Sequence, residues 1–386
     1  MAGEITINNM LQAPTIRRVI STIRRPLSAF QQHFKMTPGS GATERTPTGN
    51  ITWDIANRTR TLAKIRPRGS GPGKSSEKPI GSNSATLVRM HDSIHIEQDK
   101  VYGTRELGKG FDTPMDLFGQ KYIERQLQYL SDKFANSREF MLSRLFRNGF
   151  GVSVDGDDYN FVEATSADAF FTVDYKIPAA NRSKGEMGTG ANIFQDPWDN
   201  PATDIPGQLY AARKAMIRLT GLELTEFWIN SSTFAVMQNN NFLASVAGSA
   251  NTVFTSINGM TIKKEETDAA SGFMVEFRAL PLFKFYVYDG VLNIAGLDDS
   301  TTAANSSLFI PDGHMIGTPT PNNEWIGCVE GSEIVAESYV DTGKNVNGFH
   351  SWKNRTILPP GWDLVAVDNW LPILYVPSAV IYIQVY

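Results

Sequence analysis

The sequence predicts an α+β protein, and three observations carry that prediction. Residues 114 to 148 hold one long run of helical periodicity. Before it, two alternating apolar stretches flank a glycine-rich segment. After residue 220 most of the chain reads as short strands punctuated by Gly, Pro, Asn and Asp. A length of 386 residues leaves room for one large domain or two moderate ones with a sizeable core.

The helix has the best-defined start. Thr113 is placed to cap it, Pro114 suits the first helical position, and Asp116 stands at the third. Met115, Phe118, Tyr122, Leu127, Leu130, Phe134, Met141 and Leu145 keep a spacing near 3.6, and Asn148-Gly149 supplies the stop. About 33 residues at 1.5 Å each give a rod close to 50 Å long. It lacks coiled-coil heptads, so it is expected to lie across a sheet as a spine.

Upstream, Ile51, Trp53 and Ile55 alternate with polar residues, which predicts a strand. Leu87, Val88, Ile94 and Ile96 predict a returning strand. Together they describe an elongated hairpin of roughly 50 residues with a glycine-rich tip. The tip contains Arg68-Gly-Ser-Gly-Pro-Gly-Lys-Ser-Ser76, which invites a nucleotide-binding reading. That reading fails on three counts. Gly69 is followed by three residues, one short of the four required before Gly73-Lys74-Ser75. Pro79 and Gly81 prevent the helix that should open behind the loop. The preceding strand is polar and alternating rather than apolar.

Charge divides the chain. Residues 1 to 110 carry about 17 Lys and Arg against about 8 Asp and Glu, roughly +9, which leaves about -13 for the remainder. Within the basic part, TIRRVISTIRR from Thr15 puts Ile16, Val19, Ile20 and Ile23 on one helical face, with Arg17, Arg18, Arg24 and Arg25 on the side and back, and Pro26 ends it. Three uses stay open: an arm that binds nucleic acid, an arm that lies on the acidic body of an identical neighbour, or a solvated segment. Residues 36 to 50 read as a linker or turn.

Downstream, FGVSV, YNFVEA and FFTVDYKI read as strands, and Asp204 is placed to cap a helix that Gly221 ends. Residues 223 to 229 read as a strand and SSTFAVMQNNNFLASV as a short helix. MTIKKEE, FMVEFRAL, KFYVYDG, LFIPDGHMIGTP, EWIGCVEG, DLVAVDNW and LPILYVPSAVIYIQVY complete the β-rich part.

Searches for chemistry return little. His91 and His95 on a strand stand roughly 13 Å apart, too far for one metal ion. Asp155, Asp157 and Asp158 lack calcium-loop spacing and read as a tight turn. His314 has no nucleophile at any recognisable spacing, and no Gly-x-Ser-x-Gly elbow exists. Cys328 is the single cysteine, which excludes an intrachain disulfide and a multi-thiolate zinc site. No apolar stretch is long enough to span a bilayer as a helix, and the opening residues carry no signal-peptide core. The chain is expected to be soluble, not an enzyme, and without a cofactor.

The order of basic arm, long hairpin, spine helix and α+β body resembles the major capsid proteins of tailed bacteriophages, in particular the lambda-type E family. The resemblance rests on Phe171-Thr-Val-Asp-Tyr175; on Trp198 followed by the Pro201-Ala-Thr-Asp-Ile205 helix start; on Leu308-Phe-Ile-Pro-Asp-Gly-His-Met-Ile-Gly317; on Trp325-Ile-Gly-Cys-Val329; and on Leu371-Pro-Ile-Leu-Tyr-Val-Pro377 to Val385. The arm departs from the family, being more basic and more helical. The resemblance implies the tailed-phage capsid (Johnson) fold. In it, residues 1–48 form an N-terminal arm, 49–105 an extended loop, 106–204 a peripheral domain with spine 114–148, 205–360 an axial domain, and 361–386 a return to the peripheral domain. It further implies hexamers and pentamers that close an icosahedral shell around double-stranded DNA, in a virion assembled in the host cytoplasm. Arg17, Arg18, Ile20, Ile23, Arg24 and Arg25 of the arm, and Trp53, Arg66, Arg68, Gly69, Gly73 and Lys74 of the loop, would make inter-subunit contacts. Partners would be other copies, a scaffolding protein in trans, a portal protein, a decoration protein and non-specifically held DNA, with no membrane. The alternatives are an encapsulin-like cellular nanocompartment shell and a β-rich hydrolase.

Overall fold

A computed structural model of the chain describes residues 28–36, 44–47, 49–55, 81–97, 115–155, 158–182, 186–187, 191–245, 260–263, 272–277, 280–293, 306–335, 344–356 and 361–386. Along the chain its elements are α1 (Ala29–His33), β1 (Glu44–Thr46), β2 (Asn50–Ile55), β3 (Gly81–Thr86), β4 (Arg89–Glu97), α2 (Met115–Phe146), β5 (Gly149–Asp155), β6 (Asp158–Glu163), β7 (Ala169–Asp174), α3 (Ile205–Thr220), β8 (Glu226–Ile229), α4 (Ser231–Gln238) and α5 (Asn241–Ser245). There follow β9 (Met260–Lys263), β10 (Gly272–Phe277), β11 (Lys284–Tyr288), β12 (Val291–Asn293), β13 (Ser306–Leu308), β14 (His314–Thr318), β15 (Ile326–Val335), β16 (Lys344–Asn347), β17 (His350–Thr356), β18 (Gly361–Leu374) and β19 (Ile381–Gln384). The fold is α+β, as expected.

Two six-stranded sheets organise the body. The first runs β1-β15-β18-β17, with β16 paired to β15 and β4 to β18. The second runs β19-β14-β8-β11-β10-β9. Smaller sheets are β6-β5-β7, β2-β3 and β12-β13.

The second sheet is buried on both faces. Phe227, Ile229, Phe285, Val287 and Met315 point into one apolar cluster with α3, while Trp228, Tyr286, Tyr288 and Ile316 alternate into the cluster shared with α2 and the first sheet. That is why β8, β11 and β14 read as continuous apolar runs. Asp204 caps α3 by accepting from the Gly207 amide at 2.9 Å, and Gly221 ends it at φ 85°. The helix expected over 231–246 divides in two. Asn240 interrupts it, accepting from the Phe242 and Leu243 amides and donating to the Thr203 carbonyl.

The spine forms over 32 residues. Its cap at Thr113 and Pro114 lies outside the described residues. Asn148 at φ 81° and Gly149 at φ 134° end it, and a Cβ at Gly149 would stand 2.0 Å from the Val173 carbonyl oxygen. Leu127, Leu130 and Phe134 are buried on one face as the periodicity required. From Arg138 to Phe146 every residue is buried, including Arg138, Glu139 and Arg144.

Two sequence expectations are corrected. The returning strand splits at Leu87-Val88. Gly81 to Thr86 pairs with β2, Ile55 opposite Gly81, whereas β4, which holds Ile94 and Ile96, pairs with β18 in the first sheet. The C-terminal runs expected as separate strands join as β18, which continues through Pro372 opposite Cys328. β15, β16 and β17 share a sheet with β18, while β19 closes the second sheet against β14.

Arg138 and Asp368 fix α2 to β18. The guanidinium donates from Nε and Nη2 to the two carboxylate oxygens at 2.5 and 2.6 Å and lies 4.9 Å from the Trp370 ring. Asp368→Ala leaves the guanidinium buried without its carboxylate and is expected to lower subunit stability by about 3–5 kcal/mol in urea unfolding. Replacing both residues with apolar ones of similar volume should recover much of that loss.

Candidate functional site

The site is the set of places where N-terminal pieces enter the body. The most buried is α1. SAFQQHFKM places Phe30 and Phe34 one helical turn apart, so both rings point inward. Phe30 packs against Trp228, Tyr288 and Phe146 with centroids at 4.7, 5.3 and 5.6 Å. Phe34 packs against Phe146 at 5.1 Å and Trp325 at 5.9 Å. The segment lies between α2 and the Trp228 face of the second sheet.

Two carboxylates hold it. Glu139 of α2, 2% exposed, accepts the backbone amides of Phe30 and Gln31 at 2.8 and 3.1 Å and the Gln31 amide side chain at 3.3 Å. These are first-turn amides of α1, which the helix itself leaves unpaired. The Gln31 side chain also donates to the Ala135 carbonyl at 2.7 Å, and the Tyr288 hydroxyl bonds Glu139. On the other side, His33 Nε2 meets Glu226 Oε2 at 2.7 Å. Burial pushes the Glu139 carboxyl up to about 7 against the opposing pull of its hydrogen bonds. Burial and the facing Glu139 charge push the Tyr288 phenol well up.

The next pieces attach by backbone. β1 adds a parallel strand to β15, Glu44 opposite Val329, and the Tyr375 hydroxyl donates to Glu44 at 3.0 Å. The β2-β3 hairpin base is pinned at three points. Trp53 Nε1 donates to the Leu374 carbonyl at 3.0 Å, Asn83 Nδ2 to the Asp174 carbonyl at 2.8 Å, and Lys176 Nζ to the Ser82 carbonyl at 3.3 Å. Trp53 is therefore buried in this chain's own core, and its ring presents almost no surface to a neighbour.

Arg17, Arg18, Ile20, Ile23, Arg24, Arg25, Arg66, Arg68, Gly69, Gly73 and Lys74 lie outside the described residues, as does the Gly73-Lys74-Ser75 tip. His91 and His95 stand on β4. His95 Nδ1 bonds Asp363 at 2.6 Å, and His91 stacks on Trp352. Asp155 pairs with Asp158 across the expected turn. His314 Nδ1 bonds the Asp312 carbonyl, and Cys328 is buried. Among the described residues no cluster of three or more His, Cys, Asp or Glu could hold a metal ion, and no helix is long and apolar enough to cross a membrane. Sequence reasoning missed α1 and both its carboxylates. The Phe30-Phe34 spacing was the available signal, because nothing in the periodicity of α2 singles out Glu139.

No known family's sequence profile matches the chain, and no curated protein sequence does. Several solved structures are similar to it. A putative capsid protein of a prophage of Escherichia coli CFT073 is 11% identical, with a TM-score of 0.48 over 80% of each chain. The mature capsid of bacteriophage PhiM1 is 11% identical, with a TM-score of 0.42 over 94% of this chain and 87% of that one. The SrpI encapsulin of Synechococcus elongatus PCC 7942 is 8% identical, with a TM-score of 0.43 over 88% and 84%.

Trp53→Phe keeps the ring and removes the bond to Leu374, and is expected to cost about 1 kcal/mol in urea unfolding of the subunit. Trp53→Ala is expected to cost about 3–5 kcal/mol, because the hairpin base loses its buried anchor.

Proposed function

We propose that the chain is a shell subunit, a major capsid protein of the lambda-type E kind, whose copies form hexamers and pentamers that close an icosahedral container for double-stranded DNA. The observation that carries this reading is the hairpin base. β2 and β3 form a two-stranded sheet of their own, tied to the body at Trp53, Asn83 and Ser82. The residues joining them, 56–80, bring Arg58, Arg60, Lys64, Arg66, Arg68, Lys74 and Lys78 against Glu77 alone. A two-stranded hairpin of this kind is marginal by itself. A basic finger based on an acidic body is suited to lie on the body of another identical copy, and symmetry turns one such contact into a closed set. The structures it is similar to include capsid proteins and an encapsulin complex.

In this reading Arg17, Arg18, Ile20, Ile23, Arg24 and Arg25 reach a neighbour as an arm, and Arg66, Arg68, Gly69, Gly73 and Lys74 do so from the finger. Trp53 supports the finger from below. A scaffolding protein, a portal protein and a decoration protein are the further partners, and the place of action is the virion. The acidic body keeps packaged DNA from being gripped tightly. Catalysis has no part in the role.

Replacing residues 58–78 with a short Gly-Ser link preserves the Ile55-Gly81 register. Under assembly conditions the shortened chain is expected to remain a folded subunit by circular dichroism and to give no closed particles by negative-stain microscopy. Normal particles would remove the finger from the mechanism. Nucleic acid inside wild-type particles supports the phage reading, and a protein cargo supports a nanocompartment.

A further inference from the structure

Two exposed surfaces of this chain are opposite in charge, and each carries an aromatic ring. The first is the open end of the three-stranded sheet β6-β5-β7. Residues 149–175 hold six Asp and Glu and no Lys, Arg or His. Of the six, Glu163 is bonded by Arg144 and Arg147, and Asp174 accepts the Lys176 amide. Asp155 and Asp158 stand in register where the β5-β6 ladder ends, and the exposed Asp168 stands beside that end, just before β7. Phe171 lies opposite Val152 and Ala169 opposite Ser153, so Phe170 is the extra residue of a bulge. Its side chain is turned outward, 72% exposed, and Val154 on the next strand is 44% exposed. The inner face of the sheet is already filled by Phe150, Val152 and Phe161, with Phe140 of α2 against both phenylalanines. Phe170 adds nothing to that core.

The second surface is the outer stripe of α3. Tyr210, Lys214 and Arg218 follow one another at four-residue spacing, and all three are exposed. The helix carries Arg213, Lys214 and Arg218 and no acid. Arg213 is bonded to Glu223 at 2.7 Å, whereas Lys214 and Arg218 meet no carboxylate among the described residues. The three-stranded sheet packs on α2 in the cluster on one face of the second sheet, and α3 packs in the cluster on the other face. The acidic end and the basic stripe therefore belong to opposite sides of the second sheet.

The geometry points to a head-to-tail contact between two copies: the Phe170 end of one copy seats on the α3 stripe of the next, its ring beside Tyr210 and Asp168 against Lys214 and Arg218. Charge decides the pairing, because two Phe170 ends would bring acid to acid and two α3 stripes base to base. A contact that uses different surfaces on the two copies propagates until its rotation closes a ring. The inference deepens the shell reading by adding a body-to-body contact to those of the arm and the finger, and its closure into a shell rests on that reading.

Cysteine pairing on the full chain tests it. Ala167→Cys beside the ring and Ala211→Cys on the stripe are exposed, uncharged replacements, and Cys328 is buried in both variants. The two variants are mixed under assembly conditions, treated with a short bis-maleimide and read on a denaturing gel, with particles scored by negative-stain microscopy. The expected result is a covalent dimer in the mixture and none in either variant alone. Lys214→Glu with Arg218→Glu on the Ala211→Cys chain should lower its yield on the order of 10-fold. Asp168→Lys on the Ala167→Cys chain should bring the yield back. No mixed dimer, an equal dimer in a single-variant sample, or a yield indifferent to charge reversal would overturn the proposal. Particles without the mixed dimer remove this contact and leave the shell reading, whereas the mixed dimer without particles supports the contact and removes the shell reading.

Discussion

The last third of α2 is surrounded by protein on all sides, and the rest of the structure depends on how its three charged residues are matched. A helix buried all round normally carries apolar side chains, because each polar group there needs a partner inside. Arg138 finds one in Asp368 on β18. Arg144 reaches Glu163 at the end of β6 with Nη2, while its Nε and Nη1 find no protein partner. Glu139 accepts the first-turn amides of α1 that the helix leaves unpaired. A single helical stretch thus ties together the first sheet, the three-stranded sheet and the entering N-terminal segment. These links are directional, so they fix register where apolar packing alone would permit sliding.

The same arrangement separates a robust body from its attachments. The two large clusters meet through the second sheet, whose strands alternate side chains into both. The N-terminal pieces attach differently: one buried turn at α1, three paired residues at β1, and a two-stranded base at β2-β3. Each is short and is held by a few named bonds, so each can be lost with less disruption than a strand from the middle of either sheet.

Much of this was legible in the sequence where local chemistry and tertiary structure agree. Asp204 and Gly221 bound α3 because capping is a local interaction, and Asn148-Gly149 end the spine because the turn needs positive φ. Ile51, Trp53 and Ile55 marked β2, with Ile51 and Trp53 facing inward. Partner choice was not legible. Leu87-Val88 looks like the middle of one strand, yet pairing changes there from β2 to β18 because β4 pairs with a strand some 270 residues downstream. β18 runs through Pro372, which composition alone would treat as a break. The anchoring carboxylates escaped for the same reason: Glu139 and Phe30 are 109 residues apart.

The central claim is that the basic finger between β2 and β3 works on another copy of the chain. Cross-linking mass spectrometry on particles assembled from equal amounts of isotope-light and isotope-heavy subunits tests it most directly. The account predicts that links from Lys64, Lys74 and Lys78 to lysines of the body join chains of different isotope as often as chains of the same isotope. Links from these three residues confined to a single chain would contradict it.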